Sequence, residues 1–154
     1  MLNPKPPMIG ICMHESRYST PIIEESGEFV VNFPGDDKLD ELDYCGCVSG
    51  NNVDKFGKAG FTKEPANKVK ASLIKECPVN LECVVRERIG WGSYQVFIGE
   101  IVEAHVEESV LNEKGNFDLS KVAPILFNVD EYWSRGVMKG VYGCGANSFS
   151  DKSF

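Results

Sequence analysis

Residues 94–106, YQVFIGEIVEAHV, constrain the fold more than any other stretch of the chain. Tyr94, Val96, Ile98, Glu100, Val102 and Ala104 fall on one face, and Gln95, Phe97, Gly99, Ile101, Glu103 and His105 on the other. A period of two is that of a β-strand. Gly99, in its middle, marks a bulge or a close approach of another group to the backbone. His105, near the strand's end, reads as solvent-facing. Upstream, residues 78–86 alternate less regularly, with Val79, Leu81, Cys83 and Val85 on one face. Residues 87–93, ERIGWGS, read as the hairpin connection between these two strands.

The rest of the chain alternates short strands with short helical turns. Residues 8–13, MIGICM, form an apolar run suited to a buried strand. Thr20 reads as an N-cap with Pro21 at the first helical position, Ile22 and Ile23 toward the core, and Gly27 ending the turn. Residues 28–33, EFVVNF, read as a strand that stops at Pro34-Gly35. Asp36 or Asp37 caps a helix with Leu39 and Leu42 on one face, ending near Gly46. Asn52 caps another, with Val53 and Phe56 inward and Gly60 after its end. Residues 64–72 form a polar connection that Leu73 and Ile74 pin to the core. Residues 110–119 are turn-rich around Gly115. Residues 123–129 suit a last strand, and the Gly- and Ser-rich residues 143–154 a flexible tail. With no repeat and no βαβ alternation, the pattern predicts a mainly β fold, an antiparallel barrel with short helices.

Composition narrows the function classes. A chain of 154 residues is the size of one domain with a real core. A net charge of −7 argues against nucleic acid, which needs a basic face. No apolar run approaches the roughly 20 residues of a membrane helix. The first residues, MLNPKPPMIGICM, lack the parts of a signal peptide. These features predict a cytoplasmic protein with six reduced cysteines, Cys12, Cys45, Cys47, Cys77, Cys83 and Cys144. There is no C-x-x-C, and His14 and His105 are far apart, so no metal site is expected. Cys45-Gly46-Cys47 reads as two small residues in a tight turn, with a redox-active dithiol as the alternative. No Ser-His-Asp set or carboxylate pair supports a hydrolase.

One loop carries candidate chemistry. In residues 14–21, HESRYSTP, Arg17 offers a planar cationic fork and Ser16, Ser19 and Thr20 offer hydroxyls. Pro21 stands where a helix would begin, and a helix N-terminus favours an anion. The loop is a candidate phosphate site.

At this point a family becomes visible. The ordered residues Pro6-Pro7-Met8-Ile9-Gly10, Ser16-Arg17-Tyr18, Gly27-Glu28-Phe29-Val30-Val31-Asn32, Asp43-Tyr44-Cys45-Gly46, Ser49-Gly50 and Val53-Asp54-Lys55-Phe56 begin the set. It continues with residues 74–83, IKECPVNLEC, and 97–102, FIGEIV. The set resembles the flavin reductase-like, or flavoredoxin, family of FMN-binding split barrels. The resemblance implies a six-stranded split barrel over residues 1–142 that forms a homodimer, with FMN at or near the subunit interface. It implies an oxidoreductase passing electrons from NAD(P)H, or to a redox partner protein, by way of FMN. It places Ser19 on the FMN phosphate, with Ser16, Arg17 and Thr20 in the same loop, Lys55 near the flavin or its phosphate, and Phe127 against the flavin. Tyr94 stands where the family often has histidine and can donate to a flavin oxygen. The mechanism then asks for no catalytic side chain, because the flavin does the chemistry. Trp91 is expected at the dimer interface. Family members carry an earlier hairpin that supplies an Asn and a Trp beside the flavin, and this chain starts just after it. An open sheet edge there favours an oligomer. Two alternatives stay open: a non-catalytic flavin-binding or electron-transfer protein, and a truncated paralogue that keeps the dimer scaffold without cofactor.

Overall fold

The computed structural model describes residues 1–134 and 136; the tail expected over residues 143–154 lies outside them, as does Cys144. In chain order the elements are β1 (Asn3–Pro4), β2 (Pro7–His14), α1 (Ser19–Ser26), β3 (Glu28–Phe33), α2 (Leu39–Cys47), α3 (Lys55–Ala59), β4 (Lys63–Glu64), β5 (Leu73–Ile74), β6 (Val79–Trp91), β7 (Tyr94–Val106), α4 (Leu119–Val122), β8 (Ile125–Asn128) and β9 (Glu131–Ser134). Five strands form one antiparallel sheet in the order β1-β2-β7-β6-β3. The pairs β4–β5 and β8–β9 make separate two-stranded ribbons. The mainly β, antiparallel architecture with short helices is the expected one. The strand count differs: five strands, not six, share the main sheet among the described residues. No helix among them is long and apolar enough to cross a membrane.

The alternating stretch 94–106 is β7, with the bounds its periodicity marks, and it lies at the centre of the sheet. It pairs with β2 on one side, from Met8↔Glu100 to His14↔Tyr94. On the other side it pairs with β6, from Val79↔Val106 to Trp91↔Tyr94. The hairpin connection is therefore only Gly92-Ser93, with Gly92 at φ 59°, where a residue without a Cβ is favoured. Residues 87–91, read as loop, continue β6. Their side chains are exposed, so burial leaves no pattern there, and backbone pairing alone extends the strand. The hairpin tip carries Trp91, which is 79% exposed.

Two register shifts interrupt the β6–β7 ladder. Glu82 faces Glu103 and Cys83 faces Ile101, so Val102 is the extra residue on β7. Val85 faces Gly99 and Glu87 faces Ile98, so Arg86 is the extra residue on β6. Bulges of this kind bend a sheet and re-aim its side chains. Gly99 sits beside the second one, where Phe29 of β3 comes down on the sheet. A Cβ at Gly99 would lie 2.6 Å from Phe29 Cζ and 3.2 Å from Cys83 Cβ. The close approach read from the sequence is thus a phenylalanine ring seated on bare backbone. Around it lies the main core: Ile23, Phe29, Cys83 and Phe97, backed by Ile9, Ile11, Met13, Val31, Leu81 and Ile101. A smaller cluster joins Val79, Val110 and Val122 with Phe33 and Leu81.

Helix ends follow their residue chemistry in part. Gly27 and Gly60 cap α1 and α3 in the left-handed region, at φ 70° and 71°. The start of α1 departs from expectation. Thr20 is not its N-cap but its second residue, because Arg17 N–H donates to His14 O and Thr20 N–H to Arg17 O, winding the chain early. Ile22 and Ile23 do not share the core. Successive helical positions diverge, so Ile23 is buried and Ile22 is exposed. Likewise α3 begins after Asp54 rather than at Asn52. The last strand, β8, has a partner the sequence did not mark, β9.

A buried carboxylate holds the polar connection 64–72. Glu82 is fully buried. Its oxygens accept the N–H groups of Asn67 at 2.8 Å, Lys68 at 2.6 Å and Val69 at 3.1 Å. His105 Nε2 lies 2.6 Å from Oε1. His105 is therefore not a solvent-facing bystander; the strand register carries it over Glu82. Burial pushes the Glu82 carboxyl pKa up, but the three backbone donors and His105 outweigh it and hold the value below the ordinary one.

Replacing Gly99 by Ala should destabilise the fold by about 2 kcal/mol through overpacking against Phe29. Adding Phe29→Leu to that variant should cost less than the two changes summed, a coupling that a double-mutant cycle in denaturant measures. For Glu82, a depressed folded pKa means that its stabilisation is present at neutral pH. It is lost as pH falls from the unfolded value of about 4.3 through the folded one. Glu82→Gln should therefore lower the melting temperature clearly at pH 7, and the gap to the wild type should narrow below about pH 4.

Candidate functional site

The end of β2, the start of α1, the end of α2, the loop after it and the start of α3 enclose a cleft of about 760 Å³. That falls in the range of small-molecule sites, roughly 300–1,000 Å³. Arg17, Ser16 and Ser19 line it from the loop between β2 and α1. Lys55 and Phe56 line it from α3, Cys45 and Gly46 from α2, and Tyr94 from the start of β7. Met13, Ile22, Val48 and Val53 supply apolar wall. Among the described residues, Asp54 is the only acidic one that lines it. A chain of net charge −7 thus gathers two cations on one cavity.

Both cations are steadied by the same helix end. Lys55 Nζ donates to Cys45 O at 2.6 Å, and Arg17 Nη1 reaches Gly46 O at 3.5 Å. The last carbonyls of a helix lack intrahelical partners and carry partial negative charge, which suits a cation. Each side chain keeps further N–H groups for a ligand. The loop between them is tight: a Cβ at Gly50 would lie 2.9 Å from Tyr18 Cδ1, so only glycine lets the Tyr18 ring close this wall.

The loop 14–20 is ordered by its own hydrogen bonds. Thr20 is buried and its hydroxyl donates to His14 O at 3.0 Å. The His14 ring meets Ser16 through Nδ1 and stacks edge-on to Tyr94, its cross-strand partner, with ring centroids 5.0 Å apart.

Residues 1–133 match the flavin reductase like domain family. The chain belongs to that family. An uncharacterized protein of Archaeoglobus fulgidus is 36% identical over 115 residues, which is 75% of this chain and 64% of that protein. The chain thus spans under two thirds of that relative's length. Among solved structures, flavoredoxin from Methanosarcina acetivorans is similar at a TM-score of 0.89 and 37% identity, covering 96% of this chain and 79% of that one. Flavoredoxin of Desulfovibrio vulgaris (Miyazaki F) is similar at 0.88 and 31%, covering 95% and 79%. The fold is therefore the flavin reductase split barrel.

In this flavin reductase-like chain, five of the seven residues singled out from the sequence line one cleft: Ser16, Arg17, Ser19, Lys55 and Tyr94. The other two do not. Thr20 lies beneath the loop with its hydroxyl already bonded. Phe127 sits on the β8–β9 ribbon, 63% exposed, its ring 5.0 Å from that of Tyr132. That ribbon is tied to α2 instead, through Tyr132 OH to Asp43 Oδ1 at 2.8 Å. His14 and Tyr18, within the 14–21 stretch but given no role of their own there, also line the cleft, as does Cys45. Cys45 left no such signal, because only the fold brings the end of α2 to this loop.

The Cys45-Gly46-Cys47 pair is not a turn but the last turn of α2. Positions two apart on a helix do not face each other, and Cys47 Sγ points to the Asp43 carboxylate at 3.8 Å. Burial raises the Cys45 thiol pKa, with Lys55 partly opposing it. Burial pushes Cys77 to about 12 and Cys83 to about 11. Thiolates are the reactive form. Labelling with a disulfide reagent at pH 8 should modify Cys12 and Cys47 first, Cys45 more slowly, and Cys77 and Cys83 only in denaturant, as peptide mass mapping would show.

Proposed function

We propose that this chain binds FMN in the cleft and serves as an oxidoreductase, passing electrons from NAD(P)H by way of FMN to an acceptor, or to a redox partner protein. The observation that carries the reading is the convergence of Arg17, Ser19 and Lys55, from separate segments, on one cavity with an apolar wall. That donor set fits a phosphate ester attached to a large apolar ring. Arg17 offers a planar fork to phosphoryl oxygens and Ser19 a hydroxyl. Lys55, held by Cys45 O, offers positive charge beside the ligand. Tyr94 offers a phenolic donor, and Ile22, Val53 and Phe56 offer surface for a ring. Bound FMN would supply the hydride and electron chemistry. The protein's part is to bind, to orient and to keep water from one face.

The reading extends to a homodimer. Beyond Met8, β2 has β7 on one side and no described strand on the other, since β1 covers only Pro7 and Met8. An unpaired edge of this kind favours a second chain. The exposure of Phe127 and Trp91 supports a contact with that second copy.

Saturation with FMN should give a perturbed flavin spectrum with a dissociation constant in the micromolar range or tighter. Anaerobic NADH or NADPH should then bleach it. Bleaching supports the reductase, and binding without bleaching assigns the chain to electron transfer. No binding at micromolar FMN overturns both. Arg17→Ala should weaken FMN about tenfold or more while leaving riboflavin nearly unchanged, since one charged hydrogen-bond pair to phosphate is lost. Equal weakening of both ligands would remove Arg17 from the phosphate.

A further inference from the structure

The loop that lines the cleft spends most of its polar groups on itself, and His14 is where they meet. Its carbonyl accepts from Arg17 N at 3.0 Å and from Thr20 Oγ1 at 3.0 Å. Its Nδ1 accepts the Ser16 backbone N–H at 3.1 Å and lies 2.8 Å from Ser16 Oγ. A backbone N–H can only donate, so Nδ1 of the neutral ring carries no proton. The Ser16 hydroxyl must then donate to Nδ1 as well, and its single hydrogen is used. Two of the loop's three aliphatic hydroxyls are therefore engaged within the loop: Ser16 gives its hydrogen to the His14 ring and Thr20 to the His14 carbonyl. Ser19 keeps its own.

The same constraint settles the other side of the imidazole. With Nδ1 an acceptor, the neutral ring is the Nε2–H tautomer. The ring is braced edge-on against Tyr94, at an interplanar angle of 85°. It lines the cleft beside Ser16 and Arg17, and no described protein group accepts from Nε2–H. A donor that is oriented, unspent and next to Arg17 is what an anionic oxygen takes up.

We infer that His14, through Nε2–H, donates a hydrogen bond to the phosphoryl group held in this cleft, in the place that the Ser16 hydroxyl would otherwise fill. Ser16 acts through His14: it is the positioning residue that fixes the tautomer. The inference rests on the flavin reading only for the identity of the phosphoryl compound; the donor itself follows from the hydrogen bonds of the loop.

The test combines ring NMR with two substitutions. In ligand-free protein labelled with nitrogen-15, the neutral His14 ring should show the Nε2–H tautomer. Inorganic phosphate, and FMN more strongly, should shift its Nε2–H resonance. His14→Asn keeps an acceptor where Nδ1 was and leaves nothing at Nε2. His14→Gln restores an N–H near the Nε2 position. The Asn variant should bind FMN about tenfold more weakly than wild type, and the Gln variant within about threefold of it. Riboflavin binding should be the same in all three. An Nδ1–H tautomer, a resonance that neither anion moves, or wild-type FMN affinity in the Asn variant overturns the inference. So does equal loss of FMN and riboflavin, which would mean that His14 only shapes the cleft. If wild type fails to bind FMN while phosphate still shifts His14, the flavin reading falls and the His14 donor stands.

Discussion

Pairing along both edges of β7 is the constraint on which the rest of the structure depends. Over residues 94–100 β7 has a partner on each side, so its register there cannot shift without breaking two ladders at once. On one side β7 fixes β2 and delivers His14 opposite Tyr94 at the mouth of the cleft. On the other it fixes β6, which carries β3 and with it the Phe29 ring that sits on Gly99. The core and the site are thus set by one strand, the core from its middle and the site from its first residue.

A second layer of order comes from polar groups that have no freedom to move elsewhere. Glu82 is buried and charged, and three consecutive backbone N–H groups with His105 surround it. A carboxylate taken out of water is costly unless its oxygens are bonded, so the loop and the carboxylate hold each other. The loop at residues 14–20 works the same way on a smaller scale, with the His14 carbonyl and ring as its acceptors. In both places a flexible polar segment is made rigid by one side chain, and in the second that rigidity is what a ligand meets.

Cations on the cleft show how one feature serves stability and binding together. Arg17 and Lys55 both reach the terminal carbonyls of α2. That contact locates two flexible side chains and offsets the partial charge of the helix end. It also leaves two positive groups poised at one cavity in a chain whose overall charge is −7. An anion entering there meets charges already in place, so less side-chain entropy is lost on binding.

Periodicity determined β7 to the residue, because both its ends coincide with a change in apolar alternation. The sequence also determined the antiparallel strand-and-short-helix character, Gly27 and Gly60 as helix ends, and Gly99 as a place of close approach. The polar run at 14–21 marked the loop that lines the cleft, since hydroxyls, an arginine and a proline fall together there. Tertiary structure decided what lies far apart in sequence. The extension of β6 to Trp91 came from backbone pairing, which leaves no side-chain pattern on an exposed ribbon. The contact of His105 with Glu82 came from cross-strand register, which sets Asn80 opposite His105 and Glu82 opposite Glu103. Thr20 was turned inward and Phe127 outward by packing, and Lys55 was brought to the cleft by a carbonyl of a different helix. A sequence records which groups each residue owns; only the fold records which of those groups are already spent.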